Sequence, residues 1–192
     1  ELWRTNGTMT NQMLDIRPGA MGSSPSFFEE FQNQLYFRAN DGTNGIEMWR
    51  TDGATTALAA DLNPGPDGSN VSDLTAVGPN LFFSADDAIA GDEPWIWNGT
   101  AATRLGDIWE GEDGSNPDDF IALDGYVYFQ AYTEATNDEI WGTDGSGIEL
   151  VSDLLPGPDG SDVYDMMTFG DSIYFSGDDG VHGTELLKLG PP

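Results

Sequence analysis

The chain has 192 residues, of which 34 are acidic and 6 are basic. Its net charge of −28 argues against nucleic-acid and anionic-membrane partners, because both require a basic surface. The absence of cysteine excludes a disulfide framework, and no apolar run approaches the roughly 18 residues of a membrane-spanning helix. The 25 glycines and 11 prolines separate many short segments, which is typical of an all-β protein. We therefore expect one all-β domain over residues 1–192, with no nucleic-acid partner and no membrane insertion.

One motif recurs at a fixed interval of 46 residues. It reads EMWRTDG from Glu47 and has near-copies that start at Glu1, Glu93 and Glu139. A truncated copy covers residues 185–189. A constant period without insertions indicates one supersecondary unit repeated along the chain. The sequence thus predicts four repeats, starting at residues 1, 47, 93 and 139, and a partial fifth copy.

Each period contains four short runs rich in β-branched and aromatic residues, which predict strands A to D. Across the second and third periods these strands are residues 74–77, 80–86, 93–97 and 102–108. Tight turns join A to B, and Asn-Gly or Asp-Gly turns such as Asn98-Gly99 join C to D. Each repeat is therefore predicted to be a four-stranded antiparallel meander.

Strand B is apolar on both faces, so an isolated sheet would leave apolar surface in water. Radial packing of four sheets around an axis covers both faces, which predicts a four-bladed β-propeller. Strand C, however, occurs five times, because both residues 1–4 and residues 185–188 match it. We expect the N- and C-terminal strands to close the ring, with strand D of the last blade supplied by residues 13–16. One terminal copy of strand C is then surplus.

The succession of an LYFSADDG-like strand B, an ELWxTDGT-like strand C and a VxDLxPGxxGS-like segment resembles the bacterial ELWxxDGT-repeat proteins. The pattern is more distantly similar to kelch repeats. The resemblance covers the chain from Glu1 to about Leu189. It implies a secreted or cell-surface location in a bacterium, and it carries no general biochemical activity.

The D-to-A and B-to-C connections are expected on one face of the propeller, and both are rich in aspartate. Carboxylate and amide oxygens spaced around a glycine turn suit calcium, which takes six to eight oxygen ligands. The alternative is that these side chains bond backbone amides and hold the turns. The predicted calcium ligands are Asp61, Asn63, Asp67, Asp107, Asp113, Asp153 and Asp159 in D-to-A loops, with Asp87 and Asp179 in B-to-C loops.

Tryptophan occurs once per repeat in strand C, at residues 3, 49, 95 and 141, where packing between blades is a stronger interpretation than stacking on sugars. Trp97 and Trp109 fall outside the repeat, so we predict that they are exposed ligand contacts. The sequence has one histidine, His182, and no nucleophile motif, which argues against a Ser-His-Asp catalytic site. A glycosidase would have to use Glu29 or Glu30, the two carboxylates that break the repeat on strand A, the strand expected nearest the propeller axis.

Three functions are therefore open at this point. The first is a non-enzymatic extracellular binding or adhesion module with an acidic, calcium-binding loop face, whose partner is a protein or carbohydrate at the cell surface. The alternative is a structural subunit of a self-assembling extracellular filament or surface layer, which uses the surplus terminal strand to bind copies of itself. A propeller glycosidase is the third interpretation.

Overall fold

A computed structural model describes residues 1–157 and 159–190. The described chain is all-β, with 17 strands in five antiparallel sheets. The first sheet is a two-stranded N-terminal hairpin, β1 (Leu2–Thr5) and β2 (Thr10–Leu14). No helix in the described residues is long and apolar enough to cross a membrane.

Three four-stranded sheets and one three-stranded sheet follow in chain order. Sheet I contains β3 (Ser26–Phe31), β4 (Gln34–Asn40), β5 (Ile46–Thr51) and β6 (Thr56–Ala60). Sheet II contains β7 (Ser72–Val77), β8 (Asn80–Asp86), β9 (Asp92–Trp97) and β10 (Ala102–Arg104). Sheet III contains β11 (Asp118–Leu123), β12 (Tyr126–Thr133), β13 (Asn137–Thr143) and β14 (Ile148–Ser152). The C-terminal sheet contains β15 (Tyr164–Phe169), β16 (Ser172–Asp178) and β17 (Thr184–Leu189).

The turns form as the sequence predicts. Between β9 and β10 the Asn98 side chain accepts hydrogen bonds from the amides of Thr100 (2.9 Å) and Ala101 (3.0 Å). Gly99 follows with a φ of 95°, a conformation that costs glycine little. The predicted meander of four antiparallel strands is thereby confirmed in sheets I to III.

The predicted D strands are too long at their ends. Strand β10 ends at Arg104 instead of reaching Ile108, and β2 ends at Leu14 before Ile16. The reason is that the amides of Ile108 and Ile16 donate to glutamate side chains, so the backbone leaves the sheet there.

The sheets pack face to face in chain order, with the first strand of each sheet, β3, β7, β11 and β15, beside the first strand of the next. One buried cluster joins the hairpin to sheet I through Leu2, Phe37 and Trp49. A second cluster joins sheets I and II, and a third joins sheet III to the C-terminal sheet. Both faces of a central sheet are therefore covered by its neighbours.

The predicted ring closure is absent from this structure. Strand β2 pairs with β1 through partners such as Arg4 with Asn11, and does not complete the C-terminal sheet, which has three strands. The described chain has five sheets, not four, and they do not close a ring. The cause is that the hairpin turn at 6–9 lets β1 and β2 pair locally, which needs no long-range closure.

Candidate functional site

The first residue of each repeat motif is a glutamate that holds the following D-to-A loop. Glu47 is fully buried in β5. Its carboxylate accepts hydrogen bonds from the amides of Leu62 (3.0 Å) and Asn63 (3.2 Å). The amide and hydroxyl of Ser69 also donate to it, at 2.9 and 2.5 Å. Each carboxylate oxygen thus accepts two bonds, and one side chain fixes both ends of the loop; we call this arrangement the glutamate–serine lock.

The lock recurs along the chain. Glu93 accepts bonds from the amides of Ile108 (3.0 Å) and Trp109 (3.3 Å), and from the amide (3.0 Å) and hydroxyl (2.7 Å) of Ser115. Related bonds join Glu139 to Leu154 and Ser161, and Glu1 to Ile16, Arg17 and Ser23. Four loops are therefore built on the same side-chain pair.

Burial opposes the charge of these glutamates. It raises the pKa of Glu47, Glu93 and Glu139 above the ordinary value, and the serine and amide hydrogen bonds offset part of that increase. At Glu1 burial acts in the same direction, but its hydrogen bonds outweigh it and lower the pKa. A buried carboxylate is tolerated only while its donors are in place, so the lock is sensitive to the loss of any of them.

The serine of each lock also reaches the next sheet. The carbonyl of Ser69 accepts a hydrogen bond of 2.9 Å from the amide of Asp86 in β8, while the Ser69 side chain bonds Glu47 in sheet I. Equivalent bonds run from Asn40 to Ser23, from Tyr132 to Ser115 and from Asp178 to Ser161. The lock therefore couples neighbouring sheets as well as fixing the loop.

Sequence reasoning missed the lock. The signal was present, because each of the first four motif glutamates is followed 22 residues later by a serine: Ser23, Ser69, Ser115 and Ser161. A carboxylate at the start of an otherwise apolar strand is expected to have buried partners, and the repeat identifies which partner.

The B-to-C and D-to-A loops contact one another, as expected for loops on a common face. Gly45 and Gly68 approach so closely that a Cβ on Gly68 would lie 2.3 Å from the amide nitrogen of Ile46. Gly91 and Gly114 repeat this contact between the next two loops. Glycine is required here by the backbone contact and by positive φ, for example 68° at Gly68.

Most of the predicted calcium ligands face solvent on these loops. Asn63 uses its side-chain amide to donate to the carbonyl of Gly68 at 3.0 Å. Among the residues that the structure describes, no group of three or more His, Asp or Glu side chains is arranged to hold a metal ion. The structure thus leaves the following carboxylates exposed and separate: Asp61, Asp67, Asp107, Asp113, Asp153 and Asp159.

The two predicted ligands in B-to-C loops hold their own turns. Asp87 accepts bonds from the amides of Ile89 (3.0 Å) and Ala90 (3.1 Å), and pairs with Arg104 at 3.0 Å. Asp179 accepts bonds from the amides of Val181 and His182, both at 2.9 Å, and its second oxygen lies 2.8 Å from the His182 ring. The His182 side chain and these amides lower the pKa of Asp179 to about 2. Asp87 and Asp179 therefore hold their own turns, as the alternative to calcium binding proposes.

An acidic cluster that was not predicted from the sequence lies where β7 and β11 begin. Burial raises the pKa of Asp73 to about 6, and the nearby charges of Asp118 and Asp119 add to that effect. Burial and the charge of Asp118 also raise the pKa of Asp119. Asp73 and Asp118 line a cavity of about 310 Å³ that also contains Arg38. The Arg38 guanidinium lies 4.5 Å from the centre of the Phe27 ring and forms a cation–π contact with it.

The prediction that Trp97 is an exposed contact is wrong. Trp97 is buried in the core between sheets I and II, where its indole nitrogen donates to the Tyr36 hydroxyl at 3.3 Å. Its departure from the repeat reflects this core contact between sheets. Trp109 is half-buried and packs against the Tyr132 ring, with the ring centres 4.8 Å apart.

The carboxylates considered for a glycosidase lie on β3. Glu29 accepts a hydrogen bond of 3.0 Å from the amide of Ala76 in sheet II, so it joins two sheets. Glu30 is exposed and lines a cavity of about 310 Å³ between the hairpin and sheet I, with Arg4 and Asp52. Neighbouring residues of a strand point to opposite faces, so the two carboxylates do not face one substrate together.

No protein-family model and no curated protein sequence matches the chain. Several solved structures are similar to it, among them the following three. The computationally designed Ika8 protein is 17% identical with a TM-score of 0.51, and the match covers 90% of this chain and 48% of that one. A puromycin hydrolase variant in complex with PGG is 15% identical with a TM-score of 0.55, over 82% of this chain and 25% of the hydrolase. A prolyl endopeptidase is 13% identical with a TM-score of 0.52, over 81% and 24% of the two chains.

These similarities concern the fold alone. The chain spans about half the length of the designed protein and about a quarter of each hydrolase. The matches agree with the observed succession of antiparallel sheets packed face to face. The chain is therefore an all-β repeat protein whose sheets are arranged as in propeller-like structures.

Proposed function

We propose that the chain is a non-enzymatic extracellular binding or adhesion module whose acidic loop face takes a cationic partner, with calcium as the first candidate. The observation that supports this most strongly is the contrast within each D-to-A loop. The glutamate–serine lock fixes the loop backbone, while carboxylates such as Asp107 and Asp113 stay exposed. A fixed backbone with free carboxylates is suited to recognition, because little ordering entropy is lost on binding.

The charge of the face favours a cation. Among the described residues, the only ion pair formed by a lysine or arginine joins Arg104 to Asp87. The exposed loop carboxylates that the structure describes, such as Asp107 and Asp113, therefore form no ion pair with a lysine or arginine. Calcium can draw oxygen ligands from irregular loops and backbone carbonyls, and a bound ion would then present a rigid surface to a protein or carbohydrate at the cell surface.

A thermal melt with calcium or with chelator tests this function. Calcium at about a hundred times its Kd stabilises the folded state by about 2.7 kcal/mol. For a chain of this size that corresponds to a Tm rise of roughly 5–10 °C. Sodium chloride at matched ionic strength separates specific binding from charge screening.

Paired variants locate the binding. Asp107→Asn combined with Asp113→Asn should reduce the calcium-dependent rise in Tm, because it removes two charges from one loop. Asp124→Asn is the matched control, since Asp124 is exposed in the β11–β12 turn at the other end of sheet III. A Tm and a titration calorimetry trace that are the same in millimolar calcium and in chelator would refute the calcium function.

Self-assembly is the second candidate function, and the two terminal sheets favour it. In the monomeric four-bladed ring expected from the sequence, β2 would leave β1 and pair with β17. That rearrangement would sacrifice the β1–β2 pairing and separate Glu1 from Ile16, Arg17 and Ser23. Retention of the hairpin leaves the described C-terminal sheet with three strands, and the surplus copy of strand C in a second molecule is the candidate to pair with its edge strand.

A further inference from the structure

A cavity of about 310 Å³ lies where β3, β7 and β11 begin, with walls from sheets I and II and from the loop that leads into β11. Its volume is at the lower end of the range typical of ligand sites. Ser84 of β8 lines the cavity and is 3% exposed, and its hydroxyl makes no hydrogen bond to any residue that the structure describes. Buried hydroxyls normally have a partner, so this one is available to a polar group bound in the cavity. We call it the Ser84 cavity.

Sheet I holds an arginine at the position that corresponds to Ser84. This residue is Arg38, one period of 46 residues earlier, and its cross-strand partner is Ser26. The Arg38 guanidinium donates hydrogen bonds to the Ser26 hydroxyl at 2.9 Å and to the carbonyl of Val71 at 3.5 Å. It also lies over the Phe27 ring. Sheet I therefore binds a guanidinium group of its own chain.

The positions that contact this guanidinium have counterparts one period later, and all three line the Ser84 cavity: Ser72, Asp73 and Pro117. Ser72 keeps the hydroxyl, and Pro117 keeps a backbone carbonyl. Asp73 replaces the ring of Phe27 with a carboxylate, which forms charge-assisted hydrogen bonds with a guanidinium. Because serine is much shorter than arginine, sheet II keeps the acceptor groups without supplying the cation that they contact in sheet I.

The charge and shape of the Ser84 cavity also favour an organic cation. Asp92 and Asp118 line it together with Asp73, whereas Arg38 is the one basic group among the described residues of its walls. Within the described part of the chain, no three of these carboxylates are arranged to hold a metal ion. A guanidinium has five N–H donors in one plane and no acceptor, so it matches walls made of carboxylate, hydroxyl and carbonyl oxygens.

We infer that the Ser84 cavity binds a guanidinium group, with the Asp73 carboxylate and the hydroxyls of Ser72 and Ser84 as its acceptors. The inference rests on the binding function proposed above, but it concerns another site and another cation than calcium. Free arginine and an arginine side chain of a partner protein share this chemistry, and the two sources are separated by the choice of ligand.

Isothermal titration calorimetry of the 192-residue chain tests the inference. N-acetyl-arginine amide represents an arginine side chain within a polypeptide, and L-arginine represents the free amino acid. N-acetyl-citrulline amide is the matched control ligand, because its urea group has the shape of a guanidinium without the charge. All titrations contain chelator, so their outcome does not depend on the calcium function.

Two variants locate the binding. Asp73→Asn keeps the size of the side chain and removes its charge, so the affinity for the arginine ligand should fall about tenfold or more. Ser84→Arg places a guanidinium of the chain in the cavity, as Arg38 does in sheet I, and should abolish binding. Asp124→Asn is the matched control, because Asp124 is exposed in the β11–β12 turn at the other end of β11. Circular dichroism checks that each variant keeps the fold, and if Ser84→Arg does not fold, Asp73→Asn decides alone.

We expect the parent chain and Asp124→Asn to bind an arginine ligand with equal affinity and to bind the citrulline ligand at least tenfold more weakly. Binding of N-acetyl-arginine amide would identify a side chain of a partner protein as the source, and binding of L-arginine alone would identify the free amino acid. Unchanged affinity in the folded variants of Asp73 and Ser84 would overturn the inference, as would equal binding of the citrulline ligand. A parent chain that binds neither arginine ligand would overturn it too, without bearing on the calcium melts.

Discussion

The glutamate–serine lock predicts a large effect for a nearly isosteric substitution. In Glu93→Gln the side chain keeps one acceptor oxygen, and its amide group replaces the other with a donor. Of the four groups that donate to Glu93, two would then face an NH₂ group. A hydrogen bond to a charged group contributes about 1.5–3 kcal/mol, and removal of the buried charge offsets part of the loss. We expect the free energy of unfolding to fall by about 2–4 kcal/mol.

Urea denaturation measures this change without altering ionic strength, and hydrogen exchange locates it. The amides of Ile108 and Ser115 should lose protection before distant amides do, since repeat proteins can open locally. Glu110→Gln is the matched control, because Glu110 is exposed in the same loop and should change stability by less than about 0.5 kcal/mol. Equal stability of the two variants would show that the lock does not hold the loop.

Three further predictions concern single sites. The raised pKa of Asp73, about 6, means that its contribution to stability is fully present below pH about 4 and lost as the pH rises through about 6. Asp73 is only half-buried, so solvent screens part of this effect, and Asp73→Asn should remove about 1 kcal/mol of the pH dependence in urea titrations at pH 4.5 and 7.5. An unchanged pH profile would contradict the assignment. Gly114→Ala should destabilise the chain by more than about 2 kcal/mol, because its Cβ would lie 2.3 Å from the amide nitrogen of Asp92 at a φ of +71°. A variant whose Tm lies within about 2 °C of the parent's would disprove this contact. Trp97→Phe should lower the free energy of unfolding by about 1–2 kcal/mol, because the hydrogen bond to Tyr36 is lost. The tryptophan fluorescence of the parent chain should be blue-shifted relative to that of the variant, as expected for a buried indole. A stability unchanged by this substitution would place Trp97 outside the core.

The regular parts of the fold could be predicted because each depends on neighbours in sequence. Asn98-Gly99 forms a turn from its own side chain and a positive φ, and alternating apolar residues specify strands such as β8. The recurrence of Glu47 and its copies specified the unit and its length. Site chemistry was less accessible, because an aspartate that holds a turn, as Asp179 does, has the same sequence pattern as a potential calcium ligand.

The sequence by itself determined the all-β class, the 46-residue unit and the excess of negative charge, since these follow from composition and local pattern. Only the tertiary structure decided that the motif glutamate is buried, that Trp97 lies between two sheets and that β2 pairs with β1. The physical reason is that burial and closure depend on which sheets meet in space. For β2 the Asn6-Gly7 turn favours the local partner β1, whereas pairing with β17 would require closure over the whole chain, and only the tertiary structure shows which of the two pairings forms.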